Sequence, residues 1–225
     1  YFGIEDRLTV ANAPKIWEKA NALLATDDFR PRQLVKKMNV KVVCTTDDPA
    51  DDLKYHKLLK EEEHENGFKV LPGMRPDKAF NIKTTTFGDY VKHFAEVSGV
   101  KVVDFATFIQ GFEKRFEYFA SVGGKFSDHG INTFHFIPAS EERVNDVFQK
   151  GLNNDPLTDE EVDIYLTALI EELMRLNTKF GWTMQFHANA VRNGNKQLFE
   201  KLGADVGCDS MGNQPDMADQ LMKLL

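Results

Sequence analysis

The sequence predicts an α/β fold in which parallel strands alternate with amphipathic helices. Short apolar or β-branched runs end in polar residues at four places, and helical apolar spacing fills the stretches between them. Strands that alternate with helices are joined by crossover connections, and these connections produce a parallel sheet. Such a sheet is either open and doubly wound or closed as a barrel.

Helical spacing opens the chain before the first predicted strand. Residues 12–25 place their apolar side chains on one broad face, and Asn12 is a suitable N-cap. A second helix is predicted over residues 30–39, with a proline near its start. We therefore expect a helical segment over residues 1–38, followed by a strand–helix region over residues 39–225.

Four stretches predict strands that become polar at their carboxyl ends. They cover residues 40–49, 68–78, 123–130 and 181–190. The first contains Cys44, which the surrounding valines place in a buried strand as a small hydrophobic residue.

Helices are predicted between and after these strands. They cover residues 51–63, 86–99, 104–124, 140–152, 158–181, 195–203 and 216–225. No Gly-rich phosphate loop follows any of the strands, which weighs against a nucleotide-binding fold. Four strand–helix units are too few for an eight-stranded barrel, so a barrel would be represented here by about half of its strands.

Composition excludes several classes of protein. The 225 residues are 42% hydrophobic and 28% charged, with a net charge of −7, which is typical of a globular protein and argues against a nucleic-acid surface. The two cysteines are far apart, which predicts no disulfide framework and a reducing cytoplasm. No apolar run reaches the roughly 18 residues of a membrane span, and the first residues do not resemble a signal peptide.

Polar and ionisable side chains that could bind a ligand or take part in catalysis follow each predicted strand. The four sets are Thr45, Thr46, Asp47 and Asp48; Arg75, Asp77 and Lys78; Ser127, Asp128 and His129; and His187, Asn189, Arg192 and Asn193. Ligands bind at the carboxyl ends of strands in parallel α/β folds. Four such sets in succession favour one convergent site over four unrelated loops.

Each candidate residue also has a structural interpretation. His187 is either a core histidine with a hydrogen bond or a ligand at a strand end. Arg75 and Arg192 either form surface salt bridges or bind a carboxylate or phosphate through two N–H groups of the guanidinium. Asp128 beside His129 is either a cap next to a core imidazole or a carboxylate that orients a histidine or moves a proton.

Several blocks of the sequence resemble the uronate isomerase family, in order and with similar spacing. They read VVCTTDDPADDLKYH, VLPGMRPDKAF, FSDHGI, GWTMQFHANAVRNGN and LGADVGCDSMGN. That family belongs to the amidohydrolase superfamily of metal-dependent (β/α)8 TIM-type barrels. The resemblance implies a partial barrel holding about strands 2–5, preceded by helices at the end of an inserted helical subdomain.

The resemblance also implies an activity. Family members interconvert D-glucuronate and D-fructuronate, and D-galacturonate and D-tagaturonate, by proton transfer between C2 and C1. The implied partner is a small hexuronate, with no nucleic acid and no membrane, and the full-length enzyme is expected to be a cytoplasmic homo-oligomer. Two alternatives stay open: another metal-dependent enzyme of the superfamily acting on a sugar acid or lactone, and a non-catalytic α/β domain.

Residue roles follow from the same resemblance. His187 matches the strand-5 histidine that faces the metal, and Asp128 and His129 match the strand-4 block, where we expect catalytic residues. The expected substrate-binding residues are Arg75, Asn189, Arg192 and Asn193. The sequence departs from the family at Ala188 and Asn189, where members commonly carry Ile-Gly, which puts the shape of the pocket wall in question.

The implied cofactor is a divalent metal, expected to be zinc. The H-x-H pair of the first barrel strand and the aspartate of the eighth are absent from these residues. Because zinc sites use three or four protein ligands, the other ligands are expected outside this chain. The chain alone is therefore expected to be inactive and to bind metal weakly or not at all.

Overall fold

The computed structural model describes residues 2–225, which form two compact units. The smaller unit comprises residues 2–45 and 54–71, and the larger comprises residues 46–53 and 72–225. The boundary predicted between residues 38 and 39 stays a prediction.

The smaller unit combines short helices with two parallel strands. Its elements are α1 (Ala13–Leu24), a 3-10 turn (Asp27–Phe29), α2 (Pro31–Lys37), β1 (Val42–Cys44), α3 (Lys54–Glu61), α4 (Glu63–Asn66) and β2 (Lys69–Leu71). Val42 pairs with Lys69 and Cys44 with Leu71. The prediction that Cys44 is buried is wrong, because alternate residues of β1 point to opposite faces and both Val42 and Cys44 are exposed.

The larger unit carries the long helices and two further strand pairs. Its elements are α5 (Asp77–Phe80), α6 (Phe87–Ser98), α7 (Phe105–Val122), β3 (Phe126–Ile131), α8 (Glu141–Asn153), α9 (Asp159–Phe180), β4 (Thr183–Ala188), β5 (Ala190–Val191), α10 (Lys196–Leu202), β6 (Ser210–Met211) and α11 (Met217–Leu224). In the part of the chain that the structure describes, no helix has the length and apolar character needed to cross a lipid bilayer.

The strands of the larger unit run in parallel around β3, which confirms the predicted α/β class. β3 pairs with β4 over its whole length, from Phe126 beside Thr183 to Ile131 beside Ala188. On the other side of β3, Ser127 forms a parallel bridge with Met74, which in turn bridges to Asp47. The short β5 and β6 pair antiparallel.

A core of aromatic side chains holds the helices of the larger unit together. The fully buried members are Phe87, Phe94, Phe108, Phe112, Phe116, Phe119, Phe134, Phe148 and Tyr165. Phe108 joins three helices, since its ring centroid lies 5.1 Å from that of Phe94 on α6 and 5.2 Å from that of Phe148 on α8. Aromatic pairs at this separation contribute about 0.5–1.5 kcal/mol beyond the area that they bury.

Local signals fix the helix ends. Asp104 and Thr107 form a capping box at the start of α7, and Thr158 and Glu161 form another at the start of α9. Ser140 caps α8 by accepting a hydrogen bond from the backbone N–H of Arg143, without a reciprocal side-chain bond. The predicted strands prove longer than the observed ones, and the short α5 and β6 were not predicted.

Candidate functional site

The candidate site lies in the larger unit, within β3, near the carboxyl end of β4 and in the segment around Met74. Asp128 on β3 and His187 on β4 point to the same face of the strand pair. Their side chains meet diagonally, with Nδ1 of His187 2.7 Å from Oδ1 of Asp128. The side chain of Asp128 is 5% exposed and that of His187 54%, so the histidine stands between a buried carboxylate and solvent.

Arg75 connects this pair to the neighbouring segment. Its Nη1 donates to Oδ2 of Asp128 over 3.2 Å, and its Nε donates to Oδ2 of Asp77 over 2.8 Å. Burial of the guanidinium on its own lowers the pKa of Arg75. The hydrogen bonds and charges of Asp77 and Asp128 outweigh that effect and raise this pKa above its ordinary value. Arg75 is therefore a permanent cation held between two carboxylates.

The two carboxylate oxygens of Asp128 have different surroundings. Oδ2 accepts from Arg75, whereas Oδ1 is buried and meets no donor with hydrogen-bond geometry among the described residues. The close approach of His187 to Oδ1 is thus a charge contact when the imidazole is protonated, rather than a formed hydrogen bond. A buried carboxylate oxygen without a hydrogen bond is costly, so a donor from His187 or from a ligand would stabilise Oδ1.

His129 lies on the opposite face of β3 from Asp128, because side chains alternate along a strand. Its Nε2 is 2.7 Å from Oγ of Ser127, and that hydroxyl donates to Oδ1 of Asn177 over 2.8 Å. Since the hydroxyl proton is used on Asn177, Nε2 of His129 carries the hydrogen and Nδ1 does not. Nδ1 is buried without a partner among the described residues.

Burial determines the charge state of His129. The imidazole is fully buried, and the loss of solvation lowers its pKa to about 3, with the positive charges of Arg75 and His187 acting in the same direction. A neutral core imidazole of this kind cannot supply a proton near pH 7.

The three candidates in the loop after β4 form a separate cluster. Asn189 donates through Nδ2 to the carbonyl oxygen of Gly212 over 3.2 Å and has a left-handed backbone, with φ of +67°. Asp209 accepts from Nη1 of Arg192 over 2.5 Å and from the backbone N–H of Asn193 over 3.0 Å. The hydrogen bond from Asn193, followed by the one from Arg192, lowers the pKa of Asp209.

A cleft connects the two clusters. It has a volume of about 360 Å³, and its wall includes Asp77, Gly130, His187 and Arg192. Of the predicted site residues, the structure therefore brings Arg75 and His187 into contact with Asp128 and places Arg192 in the wall of the same cleft as His187. Asp77 belongs to the same predicted strand-end set as Arg75 but has no predicted role; in the structure it accepts a hydrogen bond from Arg75 and lines the cleft.

Side chains that could bind a metal ion are not grouped together among the described residues. Among residues 2–225, no group of three or more histidine, cysteine or acidic side chains is arranged to hold a metal ion. His187 is nevertheless oriented as a single metal ligand would be. Its Nδ1 faces Asp128, and its Nε2 makes no hydrogen bond to the described residues. Metal-binding histidines commonly show this arrangement, with the second ring nitrogen against a carboxylate.

Comparisons with known proteins agree along the whole chain. The sequence model of the family described as glucuronate isomerase matches residues 1–225. The uronate isomerase of Latilactobacillus sakei subsp. sakei is 52% identical over 224 residues, which are 100% of this chain and 48% of that protein. The uronate isomerase of Lactococcus lactis subsp. cremoris is 46% identical, over 100% of this chain and 47% of that protein.

Solved structures show the same partial coverage. The uronate isomerase of Thermotoga maritima matches 100% of this chain and 49% of its own chain, with a TM-score of 0.90 and 29% identity. The glucuronate isomerase of Caulobacter crescentus matches 99% of this chain and 46% of its own chain, with a TM-score of 0.85 and 27% identity. The chain thus spans about half the length of the relatives that it matches.

Proposed function

This chain belongs to the glucuronate isomerase family, and we propose that it is a portion of a uronate isomerase. The proposed reactions interconvert D-glucuronate with D-fructuronate and D-galacturonate with D-tagaturonate. The observation that carries the proposal is the 52% identity to a uronate isomerase over the full chain. The contact of Arg75, Asp128 and His187 at neighbouring strand ends supports it.

We propose that the α/β fold is a partial (β/α)8 barrel. The support for this proposal is that parallel segments lie side by side in the same order as in the sequence. Asp47 lies beside Met74, Met74 beside β3, and β3 beside β4. Long helices separate β3 from β4 in sequence, as barrel units require. In this proposal, residues 39–225 supply about strands 2–5, and residues 1–38 end an inserted helical subdomain.

Arg75 is the proposed substrate anchor. Nε and Nη1 are engaged by Asp77 and Asp128, and Nη2 makes no hydrogen bond to the described residues. Nη2 carries two N–H groups, which suit a carboxylate or hydroxyl oxygen of a hexuronate. Arg192, which lines the same cleft as His187, remains a candidate for a second contact, as do Asn189 and Asn193 near it in the chain.

Asp128 is the proposed proton carrier. An aldose–ketose isomerisation moves a hydrogen from C2 to C1 and a hydroxyl proton from O2 to O1. Oδ1 of Asp128 is a buried carboxylate oxygen without a hydrogen-bond donor, beside the imidazole of His187. The predicted catalytic role of His129 stays a prediction, and its position on the opposite face of β3 favours the core-imidazole interpretation.

A divalent metal, such as zinc, would be held here by Nε2 of His187 together with ligands from outside these residues. When bound, such a metal polarises carbonyl and hydroxyl oxygens of the sugar. A cytoplasmic location and a homo-oligomeric full-length enzyme remain predictions; the two cysteines are unpaired, which is consistent with a reducing compartment.

The proposed function is tested on the full-length protein with D-glucuronate and D-galacturonate, and ketose formation is followed by proton NMR in deuterated buffer. We expect both uronates to be converted and deuterium to enter at the carbon that receives the proton. D-glucose is the control, because it lacks the carboxylate. A protein that binds metal but converts neither uronate would contradict the proposal and favour another reaction of the superfamily.

A further inference from the structure

Asp77 links Arg75 to the backbone of β3. Its Oδ2 accepts from Nε of Arg75 over 2.8 Å, and its Oδ1 accepts from the backbone N–H of Gly130 over 3.0 Å. Pro76 lies between Arg75 and Asp77 and restricts the backbone that connects them. Both oxygens of the carboxylate are therefore used to tie the arginine to a strand.

Asp128 holds the same guanidinium at a second point. It accepts from Nη1 over 3.2 Å, while Asp77 accepts from Nε. Because the guanidinium is planar, two anchors at different nitrogen atoms fix both its position and the direction of its plane. Nη2 is the nitrogen left to contact a ligand, since it has no hydrogen bond to the described residues.

Gly130 leaves the space that the guanidinium fills. A Cβ atom at this position would lie 2.8 Å from Nη2 of Arg75 and 3.0 Å from Oδ2 of Asp77. These separations are too short for ordinary contacts, so an alanine would displace the side chains. The displaced atoms are the ends of side chains, and we therefore expect the strand itself to stay in place.

We propose that Asp77 and Gly130 are positioning residues that aim Nη2 of Arg75 at an oxygen of the hexuronate. This inference rests on the proposed function and adds two residues to its binding site. A clamped arginine loses less conformational freedom when it binds, so clamping strengthens binding. Misplacement of a contacting group by about 1 Å can reduce an enzymatic rate about 100-fold.

The test uses the full-length enzyme with Asp77→Asn and Gly130→Ala. We expect each variant to raise KM for D-glucuronate about tenfold and to change kcat less, because an interaction made before the chemical step is weakened. Glu113→Gln is the matched control, since it removes a carboxylate that pairs with Lys179 in the same unit, away from the cleft. It should leave both parameters unchanged.

A double-substitution experiment separates positioning from a general structural effect. If Asp77 acts through Arg75, Asp77→Asn should add little to the KM of an Arg75→Lys enzyme, which has no Nε to clamp. Unchanged KM in both single variants, or full additivity with Arg75→Lys, would overturn the positioning role. A wild-type enzyme that converts neither uronate would instead overturn the proposed function, and with it the role of Arg75.

Discussion

Two carboxylates compensate the charge of the partly buried Arg75. Its side chain is 23% exposed and contacts two carboxylates, one of which belongs to the almost fully buried Asp128. Removing one member of a buried charged pair leaves the other without compensation and is strongly destabilising. Arg75→Lys is therefore a better probe of the site than Arg75→Ala, because it keeps the positive charge beside Asp128.

His129 gives a prediction about pH. The pKa of His129 is about 3 in the folded protein, against an ordinary value of 6.5. At pH values between these two, the imidazole binds a proton in the unfolded chain but not in the folded protein. The free energy of unfolding should therefore fall as pH falls from about 6.5 to about 3, with a slope of up to about 1.4 kcal/mol per pH unit from this residue.

His129→Gln isolates that contribution. Glutamine cannot titrate but can still donate to Ser127, whose hydroxyl is the partner of Nε2. Urea unfolding of both proteins across this pH range measures the difference. We expect a weaker pH dependence in the variant; parallel curves would show that His129 is not held neutral by burial.

The contacts of single residues were only partly predictable from the sequence. The run Ser127–Asp128–His129 was read as one chemical set, yet strand alternation places Asp128 and His129 on opposite faces. The meeting of Asp128 with His187 follows from parallel pairing and was foreseen as a convergence of strand ends. The clamp by Asp77 could not be foreseen, because it depends on where the backbone of Gly130 lies in space.

At the scale of the elements, α8 packs closely against neighbouring segments at Gly151. A Cβ atom on Gly151 would overlap Cγ1 of Ile82 and would lie 2.8 Å from Cδ1 of Ile82 and 3.3 Å from Cε1 of Phe87. Alanine normally stabilises a helix interior by about 1 kcal/mol relative to glycine. Here we expect Gly151→Ala to destabilise the protein by about 1–3 kcal/mol, because the added methyl group overpacks the core. Thermal or urea unfolding measures this change.

The control for that prediction removes the obstructing side chain. Ile82→Ala alone should destabilise the protein by about 2–5 kcal/mol, because it opens a cavity. The double variant should lose less stability than the sum of the two single changes, since the new methyl group then fills part of that cavity. Additive losses would mean that the contact between Gly151 and Ile82 does not limit the packing.

Helices were more predictable than strands because their end signals are local. The sequence predicts α9 over residues 158–181. The observed helix begins after a capping box at Thr158 and is followed by Gly181, which has φ of +64°. The first two strands were predicted over residues 40–49 and 68–78, but only Val42–Cys44 and Lys69–Leu71 form β1 and β2. Strand length depends on pairing between distant segments, which the local pattern does not contain.

In the whole molecule, the chain spans about half the length of the relatives that it matches. Within residues 2–225, β4 pairs with one strand, β3, and its side chains alternate between exposed and half-buried. The fold class and the convergence of strand ends followed from the sequence. The proposed metal is not supported in the same way, because the described residues contain no group of three histidine, cysteine or acidic side chains that could hold a metal ion.

Zinc binding tests that interpretation of the half-length chain. We expect isothermal titration of the 225-residue chain to show no single tight zinc site, because His187 is the only proposed ligand among these residues. The full-length protein should bind zinc tightly under the same conditions, and His187→Ala in that protein should weaken binding. A tight equimolar site on the isolated chain would contradict this expectation.

We propose that Arg75, Asp128 and His187 contact a hexuronate. A crystal structure of the full-length protein with D-glucuronate or D-fructuronate bound tests this proposal most directly. We expect a sugar oxygen within hydrogen-bond distance of Nη2 of Arg75 and the reacting carbons beside Oδ1 of Asp128. A uronate bound in the catalytic pocket without contact to either residue would contradict it.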